Sequence, residues 1–302
     1  MEMEWTIFFI IIVTLLALDL GVFNRRDHVI SPQSSLTQSA FYLSLGLMFG
    51  AFIWFDLGSI AGKEYLTAFL IEKTLSLDNI FLISVIFSYF NIPPKYQHRV
   101  LFWGILGVII LRGILIYLGS ALIQRFEWVM YIFGLILILT GIKMLFINNK
   151  EVDLSNNFIL NLLKKYLPLT NELHDNKFFI RKDKKLYFTP LFLALAVIEL
   201  CDLVFAIDSV PAVFSITTNT FIVYTSNIFA ILGLRSIFFA INHVIAKFKY
   251  LKYSLALILM FIGSKVYLVD FLSLEKFPAS ISLGVTITLI ASGIIFSLIK
   301  SK

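Results

Sequence analysis

The chain is predicted to be an all-α polytopic membrane protein of about nine transmembrane helices, built on an inverted repeat of two three-helix units. Three observations carry this reading. The 302 residues are 59% hydrophobic and 16% aromatic with a mean hydropathy of +0.90, too apolar for a soluble domain of this length. The apolar residues fall in runs of about 20, the length a hydrocarbon layer of roughly 30 Å requires. Finally, two of these runs carry acidic residues deep inside them, and the two share one spacing.

In chain order the spans are expected near 5–23, 39–58, 65–90, 99–119, 128–147, 188–215, 221–242, 251–270 and 279–299, all in a single transmembrane domain over 1–302. The first lacks a basic leader and a small-residue cleavage site and carries Asp19, so it reads as a retained helix. The only long polar segment, about 148–187, is expected on the cytoplasmic side. Within it FILNLLKKYLPL (158–169) has the apolar spacing of a short surface helix at the membrane interface. The RKDKK run at 181–185 reads as a topology determinant.

The net charge of +6 would suggest a nucleic-acid partner in a soluble protein, but its placement points elsewhere. Of the 25 Lys and Arg, seventeen fall on one side of the nine-span arrangement, three on the other and five within spans. Basic residues concentrate on the cytoplasmic side of membrane proteins, which predicts the N-terminus outside and the C-terminus inside. The single cysteine, Cys201, excludes an intramolecular disulfide framework and a multi-cysteine metal centre. There is no phosphate loop, dinucleotide fingerprint or nucleophile motif, so the chain is not expected to be an enzyme.

The stretch FLIEKTLSLDNIFLISVIFSYFNIPP (69–94) holds Glu72, Lys73, Asp78 and Asn79 within a span. The stretch IELCDLVFAIDSVP (198–211) repeats the arrangement: Asp202 and Asp208 are six residues apart, as are Glu72 and Asp78, and a small polar residue, Asn79 or Ser209, follows each second acid. An ionised side chain in the bilayer core costs roughly 2.5–3.5 kcal/mol on insertion scales, so such residues face a bundle interior, a partner charge or water.

The repetition continues beyond the acids. Arg112 and Arg235 lie one helix further on, Lys143 and Lys265 one helix beyond that, with Arg-to-Lys distances of 31 and 30 residues. Two units of three helices, about 65–147 and 188–270, are thus expected, the second entering the membrane from the opposite side because three is odd.

Within the spans the acids Glu72, Asp78, Glu199, Asp202 and Asp208 face the cations Arg112, Arg235, Lys143, Lys265 and Lys73 in equal number. One reading is a set of buried ion pairs holding the bundle together; buried pairs are poor stabilisers compared with packed apolar side chains. The other is a cation site. Six residues turn a helix through about 600°, so convergence of both acids in a copy needs a break. Ser76 to Asn79 and Ile207 to Pro211 are helix-poor, and unwinding there would add carbonyl oxygens to carboxylate and amide ligands, a donor set for a hard divalent cation such as Mg²⁺, Ca²⁺ or Mn²⁺. Asp19 either reaches the surface or lines a vestibule; Asp56 and Asp270 read as surface carboxylates.

At this point the segments EKTLSLDN (72–79) and DLVFAIDSVP (202–211) resemble the two signature segments of the TerC family of integral membrane proteins, and LDLGVF (18–23) resembles that family's first-helix motif. The resemblance implies a multi-pass protein of the bacterial cytoplasmic (inner) membrane, associated by name with tellurium resistance. It also implies links to manganese export, to supplying metal to secreted enzymes and, more widely, to LysE-type transporters. The family's functional positions fall on Glu72, Asp78, Asn79, Asp202, Asp208 and Asp19. Cys201 stands where a Ser or Thr is expected beside the acid, which leaves the ligand set and metal preference open.

Three functional classes compete. The first is a transporter exporting a divalent cation, Mn²⁺ favoured, through Glu72, Asp78, Asn79, Glu199, Asp202, Asp208 and Asp19, with Arg112, Lys143, Arg235 and Lys265 as charge partners. It would carry no permanently bound cofactor; the cation is substrate, and H⁺, Na⁺ or the membrane potential would drive it. The second is a membrane scaffold whose charges serve assembly, and the third an oxyanion (tellurite) resistance protein using Arg112 and Arg235. An anion site would not be expected to gather five carboxylates. The bilayer is the expected environment, nucleic acid is not an expected partner, and no protein partner is indicated.

Overall fold

A computed structural model of the chain describes residues 2–18, 32–126, 128–146, 168–170, 172–182, 185–241, 250–273 and 277–300, with the side chains at 2, 32, 77, 78, 81, 208, 241 and 251 left out. Ten helices account for most of it: α1 (Glu2–Leu18), α2 (Pro32–Asp56), α3 (Ser59–Tyr89), α4 (Pro94–Arg125), α5 (Val129–Phe146), α6 (Pro190–Phe214), α7 (Thr220–Leu232), α8 (Leu234–Ile241), α9 (Leu251–Phe271) and α10 (Ala279–Lys300). The protein is an all-α polytopic membrane protein. Among the described residues, seven helical stretches have the length and apolarity to cross a membrane: α2, α4, α5, α6, α7 continued through α8, α9 and α10. α1 is shorter at 17 residues, and α3, at 31 residues, has the length but carries Lys63, Glu64, Glu72, Lys73 and Asp78.

Local chemistry sets the helix ends. Pro94 and Pro190 occupy the first turns of α4 and α6, where the missing N–H would have no helical acceptor anyway. Asn219 caps α7, its Oδ1 accepting from the Phe221 N–H at 3.0 Å.

A short antiparallel hairpin, β1 (Phe179–Lys182) and β2 (Lys185–Phe188), precedes α6, with Phe179 opposite Phe188 and Lys182 opposite Lys185. Charge alone suggested no strand there; the available signal was the pair of short apolar runs, Phe178 to Ile180 and Leu186 to Phe188, on either side of the RKDKK run. Of the surface helix expected at 158–169, residues 158–167 lie outside the described residues.

The breaks expected at 76–79 and 207–211 do not occur, and both α3 and α6 run through them as helix. Freed backbone groups would find no water in a bilayer, so continuity is favoured unless another ligand is offered. Ser76 remains compatible with the helix by donating to the Glu72 carbonyl at 2.7 Å. Pro211 sits in the last turn of α6, where its missing N–H removes a single ladder bond.

The interruption falls instead at Gly233, between α7 and α8. There Lys73 Nζ donates to the Ala230 carbonyl at 2.9 Å, and a Cβ on residue 233 would lie 2.7 Å from that nitrogen. Glycine makes room for an ammonium at the negative end of α7.

Helix packing follows a paired pattern: α3 meets α7 as α6 meets α4, while α3 meets α6, α4 meets α7 and α5 meets α9. Gly104 faces Leu195 and Gly119 faces Phe214, so α4 and α6 run parallel. Between α5 and α9 a Cβ on Gly141 would lie 2.6 Å from the Ala256 carbonyl, and one on Gly134 2.9 Å from the Gly263 carbonyl. α5 advances seven residues as α9 retreats seven, so these helices are antiparallel and cross backbone to backbone. α1 and α2 pack on α3 and α7 through Phe8, Ile12, Phe49, Tyr65, Phe69 and Phe229, and α10 packs on α9 and α3.

Candidate functional site

Glu72 and Asp202 each lie near the midpoint of their helix, α3 and α6, with Arg112 close to the middle of α4. All three are buried, at 0%, 6% and 2% exposure. Arg112 joins them. Its Nη1 donates to Glu72 Oε2 at 2.7 Å, its Nη2 to Asp202 Oδ1 at 3.2 Å and its Nε to Asp202 Oδ2 at 3.3 Å. Asp202 is thus gripped by two nitrogens of the guanidinium, the fork geometry that suits a carboxylate.

Neutral groups complete the cluster. Nη1 also meets Asn227 Oδ1 at 2.7 Å and Ser209 Oγ at 3.0 Å, Asn227 Nδ2 donates to Glu72 Oε1 at 2.7 Å, and Asn79 Nδ2 donates to Asp202 Oδ1 at 3.3 Å. Both aligned acids, Glu72 and Asp202, and both small polar residues, Asn79 and Ser209, therefore surround one arginine. Asn227 did not stand out in the sequence, although a lone amide inside an apolar span was the signal.

The other expected residues are distributed around this centre. The side chains of Asp78 and Asp208 and the whole of Asp19 lie outside the described residues; the backbone at 78 and 208 is helical. Glu199, one turn before Asp202, points against α4, where a Cβ on Gly107 would collide with its carboxylate. Neither of its buried oxygens has a hydrogen-bond partner among the described residues.

Of the expected charge partners only Arg112 reaches Glu72 and Asp202 in this way. Arg235 is buried with its Nη1 2.9 Å from His98 Nε2, Lys265 Nζ donates to Ser282 Oγ at 3.0 Å, and Lys143 is exposed in the last turn of α5. A small cavity of about 30 Å³ is lined by Asn79, Asp202 and Arg235 together with Ile83, Leu101 and Phe205. Among the described residues no three His, Cys, Asp or Glu side chains converge as a metal cluster. The centre's donor set is nonetheless entirely carboxylate, amide and hydroxyl oxygen apart from the arginine, the chemistry of a hard cation.

Apolar helices closed around a buried ionised centre define a polytopic α-helical membrane protein with charge held inside its helix bundle. The chain belongs to the integral membrane protein TerC family, whose profile matches residues 57–302. It is 51% identical over 300 residues to an "Uncharacterized membrane protein" of Rickettsia bellii, covering 99% of this chain and 98% of that one. A Myxococcus xanthus membrane protein is 45% identical over 298 residues, covering 99% and 92%. The Escherichia coli protein named "Putative membrane-bound redox modulator Alx" is 42% identical over 290 residues, covering 93% and 89%. No solved structure matches the chain significantly.

Proposed function

We propose that the protein exports a divalent metal cation, Mn²⁺ favoured, from the cytoplasm, using the carboxylates of its two acid-bearing helices. The observation that carries this reading is the pairing of Glu72 and Asp202, from α3 and α6, on a single buried guanidinium. Two carboxylates brought together in a bilayer repel each other and resist dehydration unless a cation lies between them. Arg112 supplies that charge in this conformation. A divalent cation can supply it instead, so Arg112 acts as a tethered substitute that holds the acids when the substrate has left. Asn79, Ser209 and Asn227 offer further neutral oxygens, and Asp78 and Asp208, one residue before Asn79 and Ser209, add the charge a divalent ion needs. Glu199, Asp19 and the cavity toward Arg235 are assigned to the route into and out of the site.

The pairing of α3 with α7 and α6 with α4, and the antiparallel α5 and α9, support an inverted repeat and hence alternating access by one unit rocking against the other. No nucleotide motif is present in the sequence, so H⁺, Na⁺ or the membrane potential drives export. The redox modulation in the Escherichia coli relative's name cannot be a dithiol exchange within this chain, which has one cysteine.

One observation favours a second reading, a membrane scaffold: the Arg112 network closes on itself, as a structural ion pair would. Uptake of Mn²⁺, Ca²⁺, Mg²⁺ and Zn²⁺ into inverted vesicles separates the two. Export predicts Mn²⁺ accumulation that is lost in Asp202→Asn protein that still inserts; no accumulation of any of the four by the wild-type chain would leave the scaffold.

A further inference from the structure

A second pocket lies near the N-terminal ends of the parallel helices α4 and α6. A pocket of about 440 Å³ opens there between the first turns of the two helices and the residues leading into the hairpin. One wall is aromatic and apolar: Trp103 on α4, Phe192 and Leu195 on α6, and Phe179 from β1. The other part of the lining is cationic, Arg99 and Lys177, and among the described residues no acidic side chain lines the pocket.

The wall is built in place. The Thr189 hydroxyl donates to the Lys177 carbonyl at 2.7 Å, and the Thr189 N–H donates to the Phe178 carbonyl at 3.1 Å. Ring contacts of Phe192 with Phe179 at 5.1 Å and Phe188 at 4.7 Å fasten the hairpin to α6.

Arg99 is the unexplained member. Its guanidinium lies 5.6 Å from the Phe178 ring, but its Nε is buried without a hydrogen-bond partner among the described residues. A guanidinium carries five donors, and leaving a buried one unmatched is unfavourable, so a ligand with acceptor oxygens completes this arrangement. Trp103 is 49% exposed and Phe179 46% exposed, so the pocket is open along its apolar side.

We infer that this pocket binds an anionic glycerophospholipid from the surrounding bilayer, the headgroup phosphate between Arg99 and Lys177 and an acyl chain along Trp103, Phe192 and Leu195. Two cations with no acid select negative charge. The adjoining apolar wall, near the N-terminal ends of two helices long and apolar enough to cross a membrane, selects a lipid over a free anion; basic pockets between spanning helices are a general means of holding acidic headgroups. The site is separate from the Arg112 centre and does not depend on metal transport.

The test uses the full chain purified in detergent, with native mass spectrometry reading retained phosphatidylglycerol against phosphatidylcholine. Phosphatidylglycerol is expected to bind preferentially, with affinity falling about fivefold in Arg99→Gln or Lys177→Gln and about thirtyfold in the double variant. Arg99→Lys should restore most of the preference. Should Arg99→Gln fail to fold, Lys177→Gln alters only an exposed side chain and carries the same fivefold expectation. An undiminished phosphatidylglycerol preference in the double variant, or in Lys177→Gln alone where Arg99→Gln does not fold, overturns the proposal. Displacement of the lipid by millimolar inorganic phosphate overturns it in favour of a free-anion site.

Discussion

Arg112 is bound by so many partners that its removal and the removal of its acids should behave differently. Arg112→Met leaves two buried carboxylates facing each other and is expected to destabilise the protein by about 3–5 kcal/mol, the range for an orphaned buried charge. Adding Glu72→Gln and Asp202→Asn to Arg112→Met should recover most of that loss, a coupling that thermal unfolding of the single, double and triple variants in detergent would measure. A triple variant no more stable than Arg112→Met would mean the network is not the source of the effect. Under the proposed export function, Asp78→Asn and Asp208→Asn are expected to insert normally, abolish Mn²⁺ transport and lose the thermal stabilisation expected of Mn²⁺ on the wild type, because a ligand stabilises a fold only as far as it binds it. Wild-type export by the double variant would remove these residues from the site. Ordinary local rules in the sequence flagged Glu72, Asp202 and Arg112, because charge inside an apolar run is conspicuous. That one arginine takes both acids, with Asn227 as their neighbour, depended on four helices meeting, and no spacing along the chain encodes it.

Among the elements, the α5 and α9 pair depends most plainly on small residues. Gly134 and Gly263 each bring their backbone against the other helix, and Gly141 does so against Ala256. Lipid tails are as apolar as leucine, so helices in a membrane gain by close packing, which small residues permit. Gly141→Val and Gly263→Val are each expected to cost at least about 1–3 kcal/mol, the usual penalty for overpacking, with lowered thermal stability in detergent. If the two units are related by a two-fold, Gly141 and Gly263, each two residues before the repeated Lys143 and Lys265, should lose similar amounts; a large loss at one and none at the other would speak against the symmetry. Helix continuity was the point at which sequence reasoning failed. Ser76, Asp78 and Pro211 looked like breakers, yet α3 and α6 continue through them while α7 stops at Gly233, beneath Lys73. Propensity measured against water is a poor guide where water is absent and each lost backbone bond has no replacement.

For the molecule as a whole, the seventeen-to-three distribution of basic residues and the odd number of helices per unit make one joint statement about topology. In a Cys201→Ser background, single cysteines at Ser155, within the polar stretch of the sequence at 148–187, and at Thr218, exposed between α6 and α7, should react with a membrane-impermeant thiol reagent from opposite sides. Labelling of both from the same side would overturn the predicted topology and the inverted repeat with it. The N-out orientation follows from the same asymmetry and is tested by the same pair.

Composition and hydropathy were enough to determine that this is an α-helical membrane protein, because burying a backbone in lipid leaves helices as the simplest solution for runs of about 20 apolar residues. The two acid-bearing stretches and the arginines that follow them were equally legible, since an ionised residue in such a run is too costly to be incidental. Only the tertiary structure decided which charges meet. Arg112 lies with Glu72 and Asp202, Arg235 lies with His98, Lys73 caps α7, and Glu199 is left against Gly107 without a partner among the described residues. The physical reason is that pairing depends on the depth and rotation of separate helices, which their packing sets through glycines and aromatic side chains far away in the chain.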